Sequence, residues 1–175
     1  MTYHVGRLGV DDGGRIFVLT QAATDWGPFQ TDAPQDANYM TVRTSGDASV
    51  NVRFEPRHAS PRPWWRGAVI TVTNGALEDG DTVSVALGDQ SGGSRGSRFQ
   101  TFDQATDFQF RVLVDVFNAV RQVRVLDSPA LRVVGGPVAE LDIVWPTGAR
   151  PGEPTWLQVR ARRPPKLSSP SVLPQ

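Results

Sequence analysis

Apolar and polar residues alternate with a period of two along much of this 175-residue chain. That spacing sets every second side chain on one face of a strand. The run Ser49–Phe54 opposes Val50, Val52 and Phe54 to Ser49, Asn51 and Arg53. Thr82–Leu87 repeats the pattern with Val83, Val85 and Leu87. Asp107–Asp115 carries it furthest, with Phe108, Phe110, Val112 and Val114 set against Gln109, Arg111 and Leu113. These apolar faces are the predicted core. Weaker alternation marks Thr2–Val5, Arg15–Gln21, Tyr39–Thr44, Ala68–Thr73, Arg98–Phe102 and Gln122–Leu126. Their β-branched and aromatic residues suit half-buried strands.

Turn residues separate the runs. Asp11-Asp12-Gly13-Gly14, Thr44-Ser45-Gly46-Asp47, Asn74-Gly75, Asp79-Gly80-Asp81 and Ser91-Gly92-Gly93 all supply residues that tolerate positive φ. No stretch sustains a 3.6-residue apolar period. Val116–Arg124 comes nearest, and reads equally well as a turn followed by a strand. Strands punctuated this often predict an antiparallel β-sandwich. Its predicted extent is residues 1–127, ending at Asp127-Ser128-Pro129. Three further strands follow at Ala130–Val134, Ala139–Trp145 and Thr155–Arg162. Three strands are fewer than the roughly seven of an immunoglobulin-like sandwich. Residues 128–162 are therefore expected to be a partial module, prone to pack back on the first domain or to self-associate through residues 130–162. Residues 163–175, rich in proline and serine, are expected to be disordered.

Composition narrows the chemistry. Eighteen basic residues offset eighteen acidic ones, so no net field favours a nucleic-acid or anionic-membrane partner. The chain has no cysteine, which excludes disulfides, thiolate metal sites and a cysteine nucleophile. No apolar run is long enough to span a membrane, and no secretory signal is visible, so a cytoplasmic location is expected. Neither histidine, His4 nor His58, has a nucleophile or metal-ligand motif around it. No metal or other cofactor is expected. The glycine-rich run Gly88–Arg98 lacks the lysine of a phosphate-binding loop and is expected to be a mobile connection. Acidic loops such as Asp11-Asp12, Asp32 with Asp36, and Asp79 with Asp81 lack calcium-loop spacing and read as solvated turns. Five tryptophans remain. Trp26, Trp64 and Trp65 are the candidate ligand contacts, since an exposed ring can stack on a sugar face; burial in the core is the competing reading. Composition and periodicity reach a soluble β domain and no further.

Four strings go beyond that: Thr24-Asp25-Trp26-Gly27-Pro28, Asn38-Tyr39-Met40-Thr41-Val42, Gly88-Asp89-Gln90-Ser91-Gly92-Gly93 and Phe108-Gln109-Phe110-Arg111-Val112-Leu113-Val114-Asp115. Together with Gln100-Thr101-Phe102, and in this order, they resemble the N-terminal region of the bacterial family called domain of unknown function 3604. The resemblance runs from about residue 2 to residue 161. The segments Val134–Leu141 and Ala149–Pro154 also resemble the opening of a bacterial immunoglobulin-like repeat. Where such repeats continue into an Asp and a Gly-Asn turn, this chain reads Arg162-Arg163-Pro164-Pro165, as a truncated or frameshifted end would. Longer members of the family carry a C-terminal metal-dependent hydrolase of the polymerase-and-histidinol-phosphatase type, opening with an Asp/His-rich motif. Nothing here matches that motif. The resemblance thus implies a non-catalytic accessory β region that contacts a catalytic domain lying outside this chain. The alternative is a free-standing carbohydrate-binding or adhesive module.

Overall fold

Strands form both where alternation is strongest and where apolar runs are unbroken. The computed structural model describes residues 1–21, 26–97, 107–132, 140–148 and 150–162. Within them lie β1 (Thr2–His4), β2 (Arg15–Gln21), β3 (Met40–Thr44), β4 (Ser49–Glu55), β5 (Trp64–Thr73) and β6 (Thr82–Leu87). They continue with β7 (Asp107–Gln109), β8 (Arg111–Asp115), β9 (Val123–Arg124), β10 (Ala130–Arg132), β11 (Glu140–Val144) and β12 (Gln158–Arg162). Every pairing of these strands is antiparallel, and no helix occurs among the described residues. The protein is all-β. Predicted strand Arg98–Phe102 and string Gln100-Thr101-Phe102 lie outside the described residues, as do Thr24 and Asp25.

The chain divides into two units, residues 1–133 and 134–175. In the first, a five-stranded sheet ordered β4-β5-β2-β8-β9 accompanies a three-stranded sheet ordered β1-β6-β3, with β7 and β10 forming a short pair. Ile16, Val18, Ile70, Val72, Val112 and Val114 from the larger sheet share one buried cluster with Met40, Val83 and Val85 from the smaller. That shared interior makes the unit a sandwich. Trp26 joins it at one end, edge-on to Phe29 at 5.0 Å. Val83, Val85, Phe108, Phe110, Val112 and Val114 are buried as their alternation predicts. Val50, Val52 and Phe54 are only half-buried. The reason is topological: β4 is an edge strand, with a hydrogen-bonded neighbour on one side only.

The larger sheet is covered on its other face as well. Phe17, Leu19, Val69 and Leu113 form a second buried cluster there, with Trp64 packed against it. The segment after β4 lies over part of this cluster. His58 stacks on Phe17 at 4.8 Å, its backbone N–H donates to the Trp65 carbonyl, and its Nε2 meets Gln122 Nε2 at 3.1 Å. Arg111 sits over the Trp64 ring at 4.0 Å. Leu113, expected on the polar face of its strand, is therefore buried.

One boundary differs from the sequence reading, and one open reading is resolved. Ala130–Arg132 pairs residue by residue with Gln109, Phe108 and Asp107, and Phe110 N–H donates to the Pro129 carbonyl. Residues 128–132 thus complete the first unit instead of opening the second. In Val116–Arg124 a turn precedes the two-residue β9. The buried carboxylate of Asp115 dictates that turn, accepting the backbone N–H groups of Ala119 at 2.9 Å and Val120 at 3.0 Å.

The described part of the second unit is a hairpin of β11 and β12. Its register sets Leu141 opposite Ala161 and Ile143 opposite Val159 on one face. Asp142 opposite Arg160 and Val144 opposite Gln158 occupy the other. Leu141, Ile143 and Val159 are exposed.

Candidate functional site

The three candidate tryptophans are engaged with the scaffold. Trp26 is only 4% exposed; its ring has no face to offer a sugar. Trp64 lies under Arg111, and its indole N–H donates to the Gln109 carbonyl at 3.2 Å. Trp65 carries the Arg62 guanidinium 5.1 Å above its ring. The pair does not simply point to opposite faces. Trp64 pairs with Gln21 and Arg66 with Thr20, so Trp65 is an extra residue in a β-bulge. Arg66 turns inward there and donates to the Trp26 carbonyl at 2.8 Å.

A concave surface lies elsewhere, along the seam between β3 and β4. The turn that joins them carries the chain from the smaller sheet to the larger, and side chains fix its shape. Thr44 donates to the Ala48 carbonyl at 3.0 Å. Ser45 donates to Asp81 at 3.1 Å and accepts from the Thr82 N–H at 2.8 Å. Because β3 and β4 are edges of different sheets, no ladder of hydrogen bonds closes the seam between them. A groove of about 490 Å³ occupies it, with an adjoining recess of about 270 Å³. Met40 and Val52 line both hollows. Asp32, Tyr39, Thr41, Arg43 and Asn51 bring polar atoms to the groove, and Arg53 does so in the recess.

Hydrogen bonds hold these groups in place. The Gln30 side chain accepts from the Asp32 and Ala33 N–H groups at 3.0 and 2.8 Å and donates to the Ala33 carbonyl at 2.9 Å. Thr41 donates to Asp89 at 2.6 Å, and the Ser91 N–H donates to the same carboxylate at 2.8 Å. The Thr41 bond, then the Ser91 bonds, with a smaller contribution from Arg43, hold the Asp89 carboxyl down to about 2. Asp89 is a fixed anionic anchor at any ordinary pH. The glycine-rich loop expected to be mobile is stitched to the 36–39 segment: Ser94 donates to the Asp36 carbonyl at 2.6 Å and Asn38 to the Gly96 carbonyl at 3.2 Å.

Neither histidine adds to this groove. His4 is exposed on β1. His58 lies on the outer cluster, where burial lowers its pKa against the opposing effect of Glu55. Among the described residues, no group of three or more His, Cys, Asp or Glu is placed to hold a metal ion. The groove offers hydrogen-bonding groups of both polarities beside one half-buried phenol ring, which suits a hydroxyl-rich ligand. The sequence had marked none of its polar residues as a site: Asp32 read as a solvated turn, Asn51 and Arg53 as the polar face of a strand, and Tyr39 and Thr41 as part of a weak strand and a resemblance string. The packing of two sheets against each other brings them together. No protein-family model matches the chain, and no curated protein or solved structure matches it either.

Proposed function

We propose that this chain is a non-catalytic β-sandwich region serving a metal-dependent hydrolase of the domain-of-unknown-function 3604 family. It would scaffold the catalytic domain or shape its substrate entrance. One observation carries the reading: the four strings of the resemblance adjoin in space although they are scattered in sequence. Trp26 of the first packs edge-on against Phe108 and Phe110 of the last, at 5.9 and 5.8 Å. Gly27 lies against the Asn38 side chain of the second, whose amide would have to shift to admit a Cβ. Thr41 of the second donates to Asp89 of the third. The hairpin of β11 and β12, apolar on one face, supports the companion reading of an immunoglobulin-like module begun at residue 134. The test is the genomic sequence downstream of the Arg162 codon. An Asp/His-rich metal motif in any frame is expected, and an unrelated gene there would overturn the proposal.

A second reading, a carbohydrate-binding module, is favoured by the polar groove between β3 and β4 and not by the tryptophans. A glycan array should show saturable binding that Asn51→Ala and Tyr39→Ala each weaken at least fivefold. Binding lost instead in Trp65→Ala alone would return the site to the tryptophans.

A further inference from the structure

Among the described residues of the first unit, the exposed large hydrophobic side chains are confined to two stretches. Met1 and Leu8 lie in one; Phe117, Val120, Val123, Leu126 and Leu131 lie in the other. Both stretches border the side of the sandwich opposite the β3–β4 seam, between β1 and β9. Scattered apolar residues need no explanation, but a concentration beside a cavity does. Two hollows open on this side. One, of about 200 Å³, reaches between the sheets to Val83, Val85 and Val112. The other, of about 330 Å³, is bordered by Leu8 and Val123. Tyr3 and Val125 line both, so the hollows adjoin there.

Charge gives this groove a direction. Arg7, Arg121 and Arg124 line the outer hollow, and none has an ion-pair partner among the described residues. The inner one carries Asp127 together with the Met1 ammonium, which donates to the Val85 carbonyl at 2.8 Å. The positive charge is thus concentrated at the outer end, and an anion is drawn there. Guanidinium groups suit a carboxylate in particular, through paired N–H donors. The turn beside the groove is also held in a backbone conformation that its residues disfavour. Val120, a β-branched residue, sits at φ 62° and is 82% exposed, a conformation that persists only when its surroundings enforce it. Asp115 enforces it through the Ala119 and Val120 N–H groups.

We propose that the open side of the sandwich binds a free long-chain aliphatic carboxylate. Its hydrocarbon enters the hollow between the sheets past Tyr3 and Val125, and its carboxylate rests on Arg7, Arg121 and Arg124. The phenol of Tyr3, whose pKa burial raises, stays neutral beside the chain.

The test is calorimetric titration of the full chain with laurate below its aggregation concentration. Dodecylamine and hexanoate serve as comparators. Saturable laurate binding is expected, with dodecylamine and hexanoate each at least tenfold weaker. Arg121→Ala with Arg124→Ala should weaken laurate at least tenfold. Arg7→Glu should do likewise, and circular dichroism should show both variants folded. Two results would overturn the proposal: no saturable laurate binding, and equal binding of dodecylamine.

Discussion

The two long sides of the sandwich are built from the same kind of part, a pair of edge strands from opposite sheets, yet one opens on polar groups and the other on the apolar interior. On the β3–β4 side a side-chain-braced turn carries the backbone from one sheet to the other, and the groove that remains presents hydroxyl, amide, carboxylate and guanidinium groups. On the β1–β9 side no turn joins the two edges directly. The gap there opens on the valines of the interior. The difference teaches that a sandwich core is sealed by connections as much as by strands. Where a turn bridges the layers, polar side chains suffice at the rim; where none does, apolar side chains reach the surface.

Three substitutions and one pH dependence would break or sharpen that contrast. Phe110→Ala should have the largest effect, because Phe110 lies in the cluster both sides share, packed on Trp26 and Phe108. A loss of about 3–5 kcal/mol is expected from urea unfolding. A loss under about 1 kcal/mol would mean that the two sides do not rest on one core. Asp115→Ala comes next and acts on one side only. It strips two backbone N–H groups and Arg15 of their buried acceptor, at a cost of about 1.5–3 kcal/mol. Laurate affinity should fall with it, while glycan binding at the β3–β4 groove stays unchanged.

Asp89 gives the polar side a signature in acid. Its folded pKa is lowered to about 2 from the ordinary 3.8, so its contribution is complete above the unfolded value and is lost as pH falls through the folded one. Asp89→Asn should be less stable than the parent at pH 7, and the gap should close between about pH 4 and pH 2. A gap constant over that range would mean that the Thr41 and Ser91 bonds do not favour the charged form. Arg53→Ala should be the smallest change. The Arg53–Glu55 pair is 2.8 Å apart, but Arg53 is largely exposed, and exposed pairs contribute about 0–1 kcal/mol. Thermal unfolding should barely move, so any loss of glycan affinity in this variant reports contact and not stability.

The sequence made the one-sided strands legible and misjudged the two-sided ones. β6 and β7 alternate because one face is buried and the other is not, and their inward residues were read correctly; β8 alternates in sequence, but its outward Leu113 is buried in the second cluster. β2 and β5 are covered on both faces, so Ile16, Phe17, Val18 and Leu19 form an unbroken apolar run whose alternation is weak. These are among the most buried residues of the protein. The outer cluster escaped notice because its cover, His58 and Trp64, comes from a loop and a bulge that carry no periodicity. Neither groove was visible, since each is lined from segments that only the packing of the two sheets brings together. Val10 and Leu77 were hidden for a related reason. They form an isolated antiparallel bridge outside the named strands, yet both are fully buried.

The doubly covered sheet also separates closeness along the chain from closeness in energy. Val18 and Leu19 are covalent neighbours whose side chains lie in different clusters. Phe17 and Val69 lie 52 positions apart in the numbering, but share one cluster and face each other in the strand register. Substitutions at Val18 and Leu19 should therefore combine additively, as distant sites do, whereas those at Phe17 and Val69 should show an interaction energy of about 0.5–3 kcal/mol. A lineage can vary one face of this sheet while the other stays unaltered, and compensating changes should be sought across strands, not along them.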